Sequence, residues 1–378
     1  MNRRRKLLLS SALLVVFLLA FFTVSNQAVA NWLMQVAGGN SYLPIAYAPR
    51  STPVPSPIPT RSTTVIVPEG VIWVDHNSVD LFDQIPAQYL TAARDLHMRF
   101  LDRSVGANIS DGLDCLAASS WGSSSAACRR DFYDITGSEW LWKTYTQADL
   151  GAGTVPEGIQ FNASSTLYNR SNWVYEFLDP TDWEDTVSHF LTSIAAGSNL
   201  SSNDVLTFQF NYLQVADDSN IASSTNGFFK DQPHNGYYAN RERWDISDIE
   251  EFQANHPDKT FFYWTTSLSR GTGTQVSTDL NTQMRDYVRT NEKILFDVAD
   301  ILSHDLNGNP CYDNRDGVQY CGANGCENHA NDGQNYPAIC QVYTTEIDGG
   351  HLGSVSGGKI RVAKAFWVLM AQIAGWKP

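Results

Sequence analysis

His97-Met98-Arg99-Phe100-Leu101-Asp102-Arg103-Ser104-Val105-Gly106 is a short apolar run that stops at a charged turn and restarts at another period. Residues 97–102 have the composition of a strand. Arg103 to Gly106 turns the chain, and from Ala107 to about Ala118 the apolar residues Ile109, Leu113 and Leu116 share one helical face. Strand, turn and helix in that order suit a parallel sheet, whose ligands gather at the carboxyl ends of the strands. Ser104 falls at that edge, where it can serve as an exposed nucleophile or as the cap of the helix that follows.

The same alternation continues on both sides. Upstream, Pro86 to Leu96 reads as a helix. Downstream, Ala118 to Arg170 is rich in Ser, Gly, Thr and aromatics, and reads as long loops with short elements. Trp183 to Ala196 is helical in pattern, with Val187, Phe190, Leu191 and Ile194 on one face. Asp204 to Leu213 alternates large apolar with polar residues, as a strand does, and places Asn211 near its carboxyl end. After a loop at 216–243, the pattern predicts a helix over Ile246–Gln253 and a strand over Thr260–Thr266. A helix marked by Leu280, Met284 and Val288 follows, then a strand over Ile294–Val298. The closing helix carries Ile360, Ala363, Phe366, Val368, Leu369 and Ile373 on its apolar face. Such alternation predicts an α/β three-layer sandwich with a mainly parallel central sheet flanked by helices.

The chain has 378 residues, 43% of them hydrophobic and 12% aromatic, enough for a large core. Its formal charge is −14, and −18 once the four basic residues of the first thirty are set aside. That charge excludes nucleic acid and anionic lipid surfaces as main partners, since neither attracts it. Arg3 to Lys6 precede an apolar run from Leu7 to Val24 and then Ala28-Val29-Ala30, which is the form of a secretory signal over 1–30. The run is also long enough for an uncleaved membrane anchor. Residues 31–64, with a Pro/Ser/Thr-rich core from Ala48 to Thr64, read as a tether, and 65–378 as the globular domain. A secreted or cell-surface location makes the six cysteines disulfide material. Cys115 pairs with Cys128 in this reading, and Cys311, Cys321, Cys326 and Cys340 supply two further bridges of open connectivity within an insertion at 305–340. The quartet lacks the C-x-x-C pairs that zinc sites use. Asp305-x-Asn307-x-Asn309 begins like a calcium loop but continues with Pro310 and lacks the downstream Glu. No metal and no cofactor are expected.

Near the far end stands Glu346-Ile347-Asp348-Gly349-Gly350-His351-Leu352-Gly353-Ser354. An acid three residues before a histidine, in a glycine-rich turn that feeds a helix, can hold an imidazole in one tautomer beside a nucleophile. An early serine turn, an amide at a later strand end and Asp348-Gly349-Gly350-His351-Leu352 together resemble the SGNH/GDSL-type serine hydrolases, from about Met98 to Trp376. Thr265 to Leu268, Asn281, Arg285 and Phe296 to Ala299 also look like that family's intervening stretch. The serine block reads Asp102-Arg103-Ser104-Val105-Gly106 in place of G-D-S-L, and Asn211 lies in Gln209-Phe210-Asn211-Tyr212 in place of G-x-N-D, so the branch is an outlying one.

The resemblance implies a flavodoxin-like, SGNH-hydrolase-like domain with Ser104 as nucleophile, His351 as general base and Asp348 as its orienting acid. The oxyanion hole would combine the Ser104 N–H with Asn211, and the family's second-block glycine falls at Gly158 or near Asn169 to Asn172. The expected activity is that of a secreted carboxylic ester hydrolase. Its expected substrate is an acyl ester, acetyl foremost, on extracellular polysaccharide, with a lipid ester as the alternative. Trp121, Trp140, Trp142, Trp173, Tyr237 and Tyr238 are available to stack on sugars or to anchor loops. An inactive carbohydrate-binding or adhesive domain on the same fold is the rival reading.

Overall fold

The structure is a computed structural model. It describes residues 71–134, 140–177, 182–230, 244–269, 274–313, 319–322, 325–328, 335–344, 346, 349–353 and 355–378. The expected leader and tether lie outside them. Among the described residues no helix is long and apolar enough to cross a membrane.

The quoted stretch forms β2, Met98–Asp102, at the centre of a parallel sheet. On one side it pairs with β5, Trp173–Phe177, and on the other with β6, Val205–Phe208. β6 pairs with β7, Thr260–Phe261. One residue later the same run becomes β8, Tyr263–Trp264, which pairs with β9, Leu295–Phe296, and β9 pairs with β1, Trp73–Val74. The run expected as one strand over 260–266 is thus two short pieces on either side of Phe262. The strand expected over 294–298 is only Leu295–Phe296, because Val298 already opens a helix, α6, Val298–Leu302.

Alternation along these strands sorts the core onto two faces. Met98, Phe100, Val205, Phe262, Trp264 and Phe296 belong to one apolar cluster. Leu101, Leu206, Phe208, Phe261, Tyr263 and Leu295 belong to another. The first face is covered by α1, Ala87–Asp95, α2, Ser104–Ala117, and α7, Gly357–Ile373. The second is covered by α3, Trp183–His189, which continues into a π turn at 190–194, with α4, Ile246–Asn255, and α5, Gln275–Thr290. This is an α/β domain of mainly parallel strands flanked by helices. Trp264 lies within ring contact of Phe100, Phe262, Phe296 and Phe366. Each such buried aromatic contributes roughly 2–3 kcal/mol of burial free energy.

α7 is buried on nearly every side, with Lys359 and Arg361 among its buried residues. It reaches α2 because Gly112 lacks a side chain; a Cβ there would stand 2.3 Å from the carbonyl oxygen of Lys359. Lys359 is itself buried and sends its ammonium to Asp111 at 3.2 Å.

The loops carry two further strand pairs. The segment after Ala118 contains a hairpin, β3, Arg130–Asp134, and β4, Trp140–Thr144. A second pair, β10, Gln319–Gly322, and β11, Gly325–Asn328, forms a sheet of its own. The Cys115–Cys128 bridge is present as expected, and a second bridge joins Cys311 to Cys340. The side chains of Cys321 and Cys326 lie outside the described residues. Two disulfides fit an oxidising, extracytoplasmic environment.

Candidate active site

Ser104 is the first residue of α2, not a member of a turn before it. The helix starts three residues earlier than the apolar periodicity suggests, because Asp102 accepts the Arg103 N–H at 2.6 Å and the chain enters the helix at once. The N–H of a first helical residue has no partner within its helix, so the Ser104 N–H is an available donor at the positive end of the helix dipole. Gly106 permits this entry. A Cβ at that position would lie 2.4 Å from the Tyr175 ring and 2.7 Å from the Asp102 Cβ. Burial pushes the Asp102 carboxyl up to about 7.

His351 comes to Ser104 from 247 residues away in sequence, with Nε2 2.6 Å from Oγ. Its other ring nitrogen, Nδ1, is 2.5 Å from a carboxylate oxygen of Glu346, and the second oxygen of that carboxylate accepts the His351 backbone N–H at 3.0 Å. Asp348, the residue expected at Nδ1, lies outside the described residues. A proton on Nδ1 leaves Nε2 as the acceptor facing the serine. The Glu346 carboxylate, through its hydrogen bond first and its charge next, raises the imidazole pKa above its ordinary value, and burial opposes the shift.

The loop around this pair is internally tied. The Thr344 hydroxyl donates to the His351 carbonyl at 2.5 Å and accepts the Glu346 N–H at 3.0 Å. Gly349 and Gly350 are required by close approach. A Cβ at 349 would stand 1.7 Å from Glu346 Oε2, and one at 350 would stand 2.2 Å from the Tyr212 ring and 2.7 Å from the Leu268 carbonyl oxygen. Tyr212 also meets the His351 ring edge-on at 5.8 Å.

Asn211 lies just past β6, where it caps the helical turn Tyr212–Val215. Its Oδ1 accepts the Leu213 N–H at 2.9 Å, which leaves the amide NH2 as the donor. Leu101 stands opposite Phe208 in the register, so Ser104 and Asn211, each three residues on, reach the same level of the sheet edge. β5 and β6 lie on opposite sides of β2, so the order of strands reverses there, and the carboxyl end of such a reversal is where open α/β sheets bind ligands.

Other expected residues fall elsewhere. Gly158 packs against Leu306 in the turn Glu157–Ile159. The Asn169 to Asn172 turn leads into the amino end of β5, opposite to the end that carries Ser104, which excludes it from an oxyanion hole. Trp121 and Trp173 are buried and offer no sugar platform; the side chains of Trp140, Trp142, Tyr237 and Tyr238 are not among those described. The stretch from Thr265 to Ala299 forms a brace within the sheet edge. Asn281 Oδ1 accepts the Thr266 N–H at 2.8 Å, Arg285 grips Asp297 with two hydrogen bonds of 2.6 and 2.8 Å, and Thr265 donates to Asp297.

Among the described residues, one group of side chains has metal-binding composition: His76, Asp300 and His304. The His76 Nδ1 sits 2.5 Å from Asp300 Oδ2, closer than two donors on one cation stand, since 2.0–2.1 Å bonds at tetrahedral angles separate them by roughly 3.4 Å. The two imidazoles stack at 3.8 Å with 13° between planes, so their in-plane lone pairs run parallel and do not converge. This arrangement is a hydrogen-bonded clamp.

Sequence reasoning alone did not identify Glu346. The signal was the Gly349-Gly350 pair, which marks a place where another group must lie against the backbone. Comparison with family models, with curated proteins and with solved structures finds no match to this chain.

Proposed function

We propose that this protein is a serine ester hydrolase in which Ser104 is the nucleophile, His351 the general base and Glu346 the carboxylate that fixes the base. The observation that carries the reading is the unbroken hydrogen-bonded line from Ser104 Oγ through both nitrogens of His351 to Glu346. In the first half-reaction Oγ attacks the ester carbonyl carbon while Nε2 takes its proton. The negative charge that moves to the carbonyl oxygen meets the Ser104 N–H and the Asn211 amide. Glu346 stabilises the imidazolium, which then hands its proton to the departing alcohol. A water, activated by the same nitrogen, releases the acyl group from Ser104.

The parallel order β5-β2-β6-β7, with β6 and β5 on opposite sides of β2, supports a doubly wound sheet, and the resemblance to SGNH/GDSL-type hydrolases agrees with it. In this reading Glu346 takes the part that the resemblance gives to Asp348. The substrate is an acyl ester outside the cell, with acylated polysaccharide as the first class to test and lipid esters as the second.

Hydrolysis of a small activated acetate ester and labelling by a serine-reactive phosphonate test the proposal on wild type, Ser104→Ala and His351→Ala. Both signals are expected in wild type, with activity falling by about 10³-fold or more in each variant. A folded wild type that neither hydrolyses nor labels overturns the proposal and favours a binding domain.

A further inference from the structure

The ties that shape the His351 loop are of two kinds. Glu346 and Thr344 bond to residues no more than seven positions away, so they fix the ring within its own loop and would travel with it. They cannot set the distance to Ser104. The contact that does reach the nucleophile's element is the hydrogen bond from the Leu352 N–H to Asn108 Oδ1, 2.8 Å long and spanning 244 residues. Asn108 is four positions after Ser104 on α2, hence one turn along on the same face of a rigid helix. Leu352 directly follows His351 and its side chain is fully buried in the core cluster. Farther on, α7 meets α2 at Gly112 and Lys359, another turn along. The catalytic loop is therefore pinned to α2 at its exit.

We infer that Asn108 is a positioning residue of the proposed hydrolase: its side-chain carbonyl, by accepting the Leu352 N–H, holds His351 Nε2 in register with Ser104 Oγ. The inference rests on the serine hydrolase reading. The chemistry explains the residue type. The position needs an acceptor for one N–H, on a side chain short enough to stay over its own helix and uncharged, so that it adds no second anion beside the imidazolium. Asn meets all three conditions. An acceptor that carries charge keeps the geometry but adds to the Glu346 field and raises the His351 pKa further. An alkyl side chain keeps neither bond nor charge, and leaves a buried N–H unpaired.

Misplacement of a base by about 1 Å is worth about 10²-fold in rate. The test compares wild type, Asn108→Ala and Asn108→Asp by kcat, KM and pH profile on one activated ester, with thermal melting as the check on folding. Asn108→Ala is expected to lose about 10- to 100-fold in kcat with KM within about twofold. Asn108→Asp is expected to recover most of that kcat above its acid limb, and to show that limb at higher pH than wild type. Full kcat in a folded Asn108→Ala overturns the inference, and so does an Asn108→Asp as impaired as Asn108→Ala at every pH. If Asn108→Ala fails to fold, the Asp variant alone decides, through recovered kcat with a displaced limb or its absence. An inert wild type removes the hydrolase reading itself, a result distinct from either.

Discussion

The hydrogen atom on Nδ1 of His351 decides what Ser104 can do. With Glu346 on that nitrogen, the lone pair of Nε2 faces the serine. Glu346→Gln lets the amide NH2 donate to Nδ1, which turns the tautomer round and puts a proton on Nε2. We expect kcat to fall roughly 10²- to 10⁴-fold. The pKa of His351 is raised by Glu346, and under the proposed function catalysis needs the neutral ring, so activity is expected to rise with pH through that raised value. In Glu346→Gln the acid limb of the pH–rate profile moves down; an unmoved limb rules out Glu346 as the partner. The sequence placed an acid near this histidine, and its reading named Asp348, three residues before the ring. Glu346 stands five residues before the ring, and the backbone path through Gly349 and Gly350 brings its carboxylate back to Nδ1. That path follows from the crowding of Tyr212 and the Leu268 carbonyl, residues that are distant in sequence.

Among the elements, β2 and α2 were legible because their apolar periods differ and meet at one turn. Their boundary was not, since the Asp102 carboxylate holds the Arg103 N–H where the helix begins, a contact that periodicity does not report. The strand expected to run on to Leu213 was read too long: alternation continues to Tyr212, but pairing with β2 stops at Phe208 and Asn211 caps the helical turn Tyr212–Val215. The α2–α7 contact was invisible to pattern, as Gly112 looks like a helix weakness until Lys359 is seen against it. Gly112→Ala therefore reverses the usual rule that Ala strengthens a helix. Its Cβ meets a backbone oxygen, which cannot step aside as a side chain would, and we expect a loss of about 1–3 kcal/mol in urea unfolding. A gain in stability there shows that the two helices separate without cost.

At the scale of the whole molecule, the edge strand β1 is secured by one ionic clamp. The His76 N–H and ring both bond Asp300, 224 residues on, while His304 stacks on His76 and bonds the Asp300 carbonyl oxygen at 2.9 Å. The His76 pKa is raised, first by the hydrogen bond to Asp300. Asp300 is lowered despite its burial by the bond to His76 and the charge of His304. The histidine's contribution is full below its unfolded value of about 6.5 and fades as pH rises through the raised one; the aspartate's is full above about 3.8 and fades as pH falls through the lowered one. The clamp is strongest between those limits. Urea unfolding at pH 5.5 and 8.5 is expected to show wild type losing on the order of 1 kcal/mol more than Asp300→Asn between the two. Equal losses in the two proteins mean the clamp is not ionic.

Ser104 and His351 stand 247 residues apart, and that separation has a meaning in time. A chain made from its amino end exposes Ser104 long before Glu346 and His351 exist. Through that interval the serine is an ordinary alcohol, with no base to take its proton. Under the proposed function, reactivity appears only when the last helix has docked on α2.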